Sequence, residues 1–276
     1  MDKHDEKRER RIIINWDLHN MWFPILQNMG TCGPSDQLTK RVLEEIVDEH
    51  AAAGVDTIVQ CVFGSGFRGE LESSETADYV RKGGYLRGLK EGGNVSLNVL
   101  IDRCRRHNME FIAGLRMNDR HGFEEGNFAR EHPEWKLKGL DGGPGMNYAF
   151  EAVREYMMSF IEELLKAYDV DGIEFDYMRW CHMFNPGEGS KNAHLLTEFA
   201  ERTRRLMDAA AERRDRGRLA LGVRVPQTLE ECEYLGFDVS GWIKEGLVDW
   251  VVPSDFFFRL QRQDRGFCQA GRGQRL

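Results

Sequence analysis

Short β-branched runs and longer stretches with helical spacing take turns along the chain, and this alternation is its most informative feature. Residues 1–11 are densely charged and read as a solvated tail, so the first apolar run is Ile12-Ile13-Ile14. It opens into Asn15-Trp16-Asp17-Leu18-His19-Asn20, as a buried strand passing into a loop does. Ser35 or Asp36 then suits the cap of a helix in which Leu38, Val42, Ile46 and Val47 share a face, and Gly54 suits its end. The unit recurs. Thr57 to Phe63 predicts a second strand, a Gly-rich polar loop follows to Asn94, and Leu97, Leu100, Ile101 and Cys104 line a second helix.

Phe111 to Arg116 predicts a third strand, followed by a loop and a short helical stretch ending at His132-Pro133. Between Glu151 and Tyr168, the residues Val153, Tyr156, Met157, Phe160, Ile161, Leu164 and Leu165 follow helical spacing closely, so this stripe is core. Gly172 to Tyr177 predicts the fourth strand and Lys191 to Arg214 a long charged helix. Leu219 to Val225 and Val248 to Val252 supply a fifth and a sixth strand around a short helix from Val239 to Glu245.

Strands alternating with helices imply a parallel α/β sheet with right-handed crossovers. A nucleotide-binding sheet needs a Gly-rich turn directly after its first strand, and Trp16-Asp17-Leu18-His19 stands there instead. A TIM (β/α)8-type barrel predicts polar and aromatic residues just after several strands, and that is the pattern here. The expected architecture is such a barrel over residues 12–258, incomplete, with about six visible β/α units out of the eight a closed barrel has. Residues 259–276 are basic, Gly-rich and without apolar periodicity, so they are expected to be an irregular tail after a C-terminal truncation.

Composition narrows the partners. The 276 residues are 41% hydrophobic, enough for a sizeable core. Acidic residues outnumber basic ones by 46 to 38, a net charge of −8, which disfavours nucleic acid or an anionic membrane and suits a neutral ligand. No run approaches the roughly 20 apolar residues of a membrane helix, and the start lacks the apolar centre of a signal peptide. A cytoplasmic location is therefore expected as the chain is written, with secretion open if an upstream start is missing. The six cysteines are scattered, without a C-x-x-C pair, and read as reduced filler.

Candidate chemistry collects after the strands. Asp17, His19 and Trp22 follow the first; Arg116, Asn118, Asp119 and His121 the third; Arg179 and Trp180 the fourth; Arg224 and Gln227 the fifth; Ser254 and Asp255 the sixth. Strand alternation puts Glu174 and Asp176 on one side, roughly 6–7 Å apart, with Ile173 and Phe175 toward the helices. Two like charges facing a barrel axis hold a proton, recruit a cation or are neutralised by a base. Three readings follow: an ion pair of Glu174 with Arg116 or Arg224, a metal-binding pair, or catalytic carboxylates, with Asp176 nearer the mouth. Asp119 or Asp255 could complete a catalytic pair with Asp176, at about 5–5.5 Å for retention or about 6.5–9.5 Å for inversion of a sugar. Asp119 also suits a loop cap, and Asp255 a helix N-cap with Ser254.

His19 and His121 could join Asp119 and Asp176 around a metal, but the H-x-H pair of barrel amidohydrolases is absent, so no metal or other cofactor is expected. Both histidines, with Asp17, Asn118 and the three arginines, suit hydrogen bonds to a substrate. Of the aromatic residues Trp16, Trp22, Phe67, Trp135, Tyr148, Tyr177 and Trp180, Trp16 and Trp180 are the best sugar platforms, whereas Trp135 reads as a loop anchor.

The run Asn147-Tyr148-Ala149, the helix after it, Asp171-Gly172-Ile173-Glu174-Phe175-Asp176-Tyr177-Met178-Arg179 and the upstream His132-Pro133-Glu134-Trp135 resemble the family-10-like glycosyl hydrolase barrels. The likeness spans residues 12–255. It implies a TIM barrel acting on O-glycosidic bonds of a carbohydrate, with Asp176 and Arg179 as the matching site residues, while the position of Glu174 varies. Two rivals remain: a catalytically inactive carbohydrate-binding barrel and a metal-dependent barrel hydrolase.

Overall fold

The computed structural model describes residues 11–16, 39–64, 67–72, 74, 78, 89–90, 92–119, 126–139 and 145–255. The chain divides into two compact units, Met1–Gln60 with Lys82–Ile112, and Cys61–Arg81 with Ala113–Leu276. Among the described residues the strands are β1 (Ile13–Trp16), β2 (Thr57–Gly64), β3 (Arg68–Gly69), β4 (Glu110–Arg116), β5 (Gly172–Asp176), β6 (Ala220–Pro226) and β7 (Trp250–Ser254). Their order is β1-β2-β4-β5-β6-β7, with β3 off the path against β2. The β1·β2, β5·β6 and β6·β7 pairs are parallel, so the α/β alternation read from the sequence is present. The short antiparallel β3 has no counterpart in that reading; it folds back on the end of β2 through Phe63↔Gly69. The charged start up to residue 10 and residues 256–276, which include the irregular tail expected at 259–276, lie outside the described residues.

In the first unit, α1 (Lys40–Ala52) buries Val42, Leu43, Ile46 and Val47, the expected face. Its cap differs from the expected Ser35 or Asp36, which lie outside the described residues: Thr39 Oγ1 accepts the Val42 N–H at 3.3 Å. Gly54 follows with φ +81°, a left-handed conformation that a glycine adopts without strain. The helix α2 (Ser96–Arg106) buries Leu97, Val99, Leu100, Ile101 and Cys104. Arg103 clamps the two helices, donating through Nε and Nη2 to both oxygens of Asp48 at 2.6 Å.

In the second unit, α3 (Asn127–Glu131) is a short turn, and α4 (Glu151–Ala167) buries Val153, Met157, Met158, Phe160, Ile161, Leu164 and Leu165. Each such side chain contributes about 2 kcal/mol on leaving water, which outweighs the modest helix propensity of the β-branched and aromatic members. The helix α5 (Gly189–Arg213) precedes β6; α6 (Leu229–Leu235) and α7 (Val239–Lys244) lie between β6 and β7. Gly189 is required where α5 begins, because a Cβ there would come within 2.2 Å of the Tyr234 carbonyl oxygen. No helix among the described residues is long and apolar enough to cross a membrane.

Candidate active site

The site is built at the C-terminal ends of β4, β5 and β6, all within the second unit. On β5 the residues alternate: Phe175 lies 5.5 Å from the Phe199 ring of α5, centroid to centroid, while Glu174 and Asp176 take the other face. The β5·β6 register sets Asp176 beside Arg224 and Glu174 beside Gly222. Arg224 therefore reaches both acids, Nη2 lying 3.5 Å from Glu174 Oε1 and Nε 4.0 Å from Asp176 Oδ1. Arg224, one of the two arginine partners open to Glu174 in the sequence, is thus in contact with it.

Burial is severe. Glu174 has no exposed surface and Asp176 only 6%. Loss of water pushes the Asp176 carboxyl above the usual range, against the opposing pull of Arg224, the Met178 N–H, Arg179 and Arg116. The Met178 N–H donates to Asp176 Oδ1 at 2.9 Å and fixes one oxygen. A carboxylate so placed is desolvated, oriented and surrounded by cations, which suits attack at an electron-poor centre or the removal of a proton.

Asp119 is also buried, and it accepts from Arg116 Nη1 at 3.2 Å. Gly64, at the end of β2, lies alongside: a Cβ there would meet Arg116, Asp119 and Cys61, each at 3.4 Å. Asp255 is exposed just beyond β7. Arg179 and Trp180 are half-buried after β5.

Three expectations change. Asn118 is held by main chain: its Nδ2 donates to the carbonyls of Met146 and His182 at 2.9 and 2.8 Å, and its Oδ1 accepts the Met146 N–H at 2.8 Å. With both amide hydrogens and its oxygen engaged, it ties loops together rather than reaching a substrate. Trp16 is 4% exposed and meets His50 of α1 edge-on at 4.8 Å, so it presents no open platform. Phe67 and Tyr148 are likewise core, the Tyr148 hydroxyl donating to the Met117 carbonyl at 2.7 Å. Trp135 stacks on His132 at 3.8 Å, as a loop anchor does. Asp17, His19, Trp22 and His121 lie outside the described residues.

Trp250, absent from the sequence reading, is the aromatic residue that joins this face. Register places it beside Gly222, which is itself beside Glu174. The signal was faint: Trp250 and Val252 alternate within the short apolar run Trp250-Val251-Val252.

No family model matches the chain, and no curated protein does. Solved structures do. The GH36 α-galactosidase AgaA from Geobacillus stearothermophilus aligns with 90% of this chain at 17% identity and a TM-score of 0.50. The maltogenic α-amylase AmyB from Thermotoga neapolitana covers 86% at 16% identity and 0.47, and α-L-fucosidase isoenzyme 2 from Paenibacillus thiaminolyticus 78% at 13% and 0.49. The chain spans only 31%, 51% and 32% of those proteins, respectively. The similarity to AgaA shows the fold: an α/β sheet of the TIM-barrel type.

Proposed function

We propose that this chain carries the catalytic face of a glycoside hydrolase that cleaves O-glycosidic bonds of an oligo- or polysaccharide, as the resemblance to family-10-like barrels implies. The observation that carries the reading is Asp176, buried at the mouth end of β5 on the face away from the helices and ringed by arginines. In this reading Asp176 acts as nucleophile or base, and Asp119 or Asp255 as the acid that protonates the departing oxygen. Arg224, itself paired with Glu174, holds Asp176 in place, and Arg116 and Arg179 orient carboxylates or substrate hydroxyls. The fold shared with AgaA, described as an α-galactosidase, supports the substrate class.

A second reading has its own observation. Asp119 is engaged by Arg116 and Asp255 is exposed, so neither is yet seen as a poised acid. A carbohydrate-binding barrel without turnover has the same face.

The test is release of p-nitrophenol from a panel of aryl α- and β-galactosides, glucosides and fucosides by the wild-type protein. Turnover of at least one supports hydrolysis. Binding of the matching free sugars without turnover supports the binding barrel, and neither turnover nor binding removes both readings.

A further inference from the structure

The turn from β2 into β3 sets one more cation beside the candidate site. Phe63 and Gly64 pair with Gly69 and Arg68. The Phe67 N–H donates to the Gly64 carbonyl at 2.9 Å and the Glu70 N–H to the Val62 carbonyl at 2.7 Å, which closes the hairpin. Neighbours along a strand take opposite faces, and directly opposed residues of an antiparallel pair share one. Phe63 packs on Phe160 of α4, 5.0 Å between centroids, so the Phe63–Gly69 pair looks to the helices and the Gly64–Arg68 pair to the other side. Gly64 gives the same direction: a Cβ there would meet Arg116 and Asp119, each at 3.4 Å. Arg68 therefore rises at the C-terminal end of β2 on the face of Arg116 and Asp119, its Cβ about 5 Å from where a Gly64 Cβ would stand.

The turn is rigid. Phe67 takes a left-handed φ of +57°, which costs a residue with a side chain about 1–2 kcal/mol. Its ring, 4% exposed, lies 5.2 Å from Phe63 and 5.7 Å from Tyr156, and that burial offsets the strain. Arg116 and Arg224 are engaged by acids, the first by Asp119 and the second by Glu174 and Asp176. Arg68 is half-buried and has no ion pair or hydrogen bond among the described residues. The chain as a whole, at a net charge of −8, repels anions, so an uncommitted cation here runs against the overall field. A guanidinium offers a planar fork of donors that fits a carboxylate through two parallel hydrogen bonds.

We propose that Arg68 anchors the carboxylate of a uronic acid residue of the substrate beside the Arg116–Asp119 pair. This rests on the carbohydrate reading above and names a substrate class for it. A uronate differs from its neutral sugar only in the oxidation state of one exocyclic carbon, so both enter the site and the acid gains one charge-assisted contact.

The experiment is calorimetry on the full chain and on its R68Q and R68K variants. The probes are D-galacturonate and D-glucuronate, their neutral counterparts D-galactose and D-glucose, and D-glucose 6-phosphate. At low salt, at least one uronate should bind about tenfold more tightly than its neutral sugar, the equivalent of about 1.4 kcal/mol. The preference should shrink as salt is added, because a half-buried pair is screened. R68Q should lose the preference while binding the neutral sugar as the wild type does, which reports an intact site. R68K, which keeps the charge without the fork, should retain part of it. A uronate bound no better than its neutral sugar, a preference that survives R68Q, or binding of the 6-phosphate without either uronate overturns the carboxylate anchor and leaves the carbohydrate reading standing. Absence of heat with every sugar, together with absence of turnover on the aryl panel, removes that reading and the anchor with it.

Discussion

The Arg224 guanidinium approaches the carboxylate of Glu174, a side chain without exposed surface, to 3.5 Å. The same guanidinium lies 4.0 Å from Asp176, so it reaches two buried acids at once. Neither acid could be left there alone, because a buried charge without a partner costs several kcal/mol.

Replacing Arg224 with Met should therefore destabilise the protein by about 2 kcal/mol, less than for a fully buried pair because the arginine side chain is 23% exposed. Adding Glu174→Gln to that variant should restore part of the loss, since it removes one of the stranded charges. Urea unfolding midpoints of the single and double variants at pH 7 check this. A double variant no more stable than Arg224→Met would show that the pairing carries no weight.

Asn118→Ala should lower stability by about 2 kcal/mol or more. It strands the Met146 N–H and removes the donors to the Met146 and His182 carbonyls, all close to the candidate site. Thermal melting measures it. An unchanged melting temperature with weakened sugar binding would return Asn118 to the role of a substrate ligand.

The Asp48 clamp gives a pH signature. Hydrogen bonds from Arg103, and secondarily from His107, hold the Asp48 carboxyl down to about 2, below its ordinary value of about 4. A depressed folded-state value means that the contribution is fully present above about pH 4 and fades as the pH falls toward 2. The stability gap between wild type and Asp48→Asn should thus be widest near pH 6 and close by about pH 2. A gap that stays constant across that range would show that the carboxylate charge is not what holds α1 to α2.

Much of this was readable in the sequence, for local reasons. Alternation along Ile173-Glu174-Phe175-Asp176 placed two acids on one face and Phe175 toward the helices, because period two is a property of the strand itself. The stripe of α4 was equally local. What escaped the sequence depends on partners far along the chain. Asn118 is held by groups 28 and 64 residues away, and nothing beside it in sequence marks the amide as occupied. Trp16 is closed off by His50, on the following helix. Trp250 matters through Gly222, and only the β6·β7 register brings the two together. The cap of α1 fell to Thr39 because the helix starts later than the first apolar position, Leu38, suggested.

The most direct measurement is the turnover of Asp176→Asn on whichever aryl glycoside the wild type hydrolyses. The amide keeps the shape of the side chain and the oxygen that accepts the Met178 N–H, so far-ultraviolet circular dichroism should be unchanged. The prediction is a fall in kcat of about a thousandfold or more, as expected when the reacting carboxylate itself is removed. Turnover within a few-fold of wild type, in a variant that folds normally, would contradict the account.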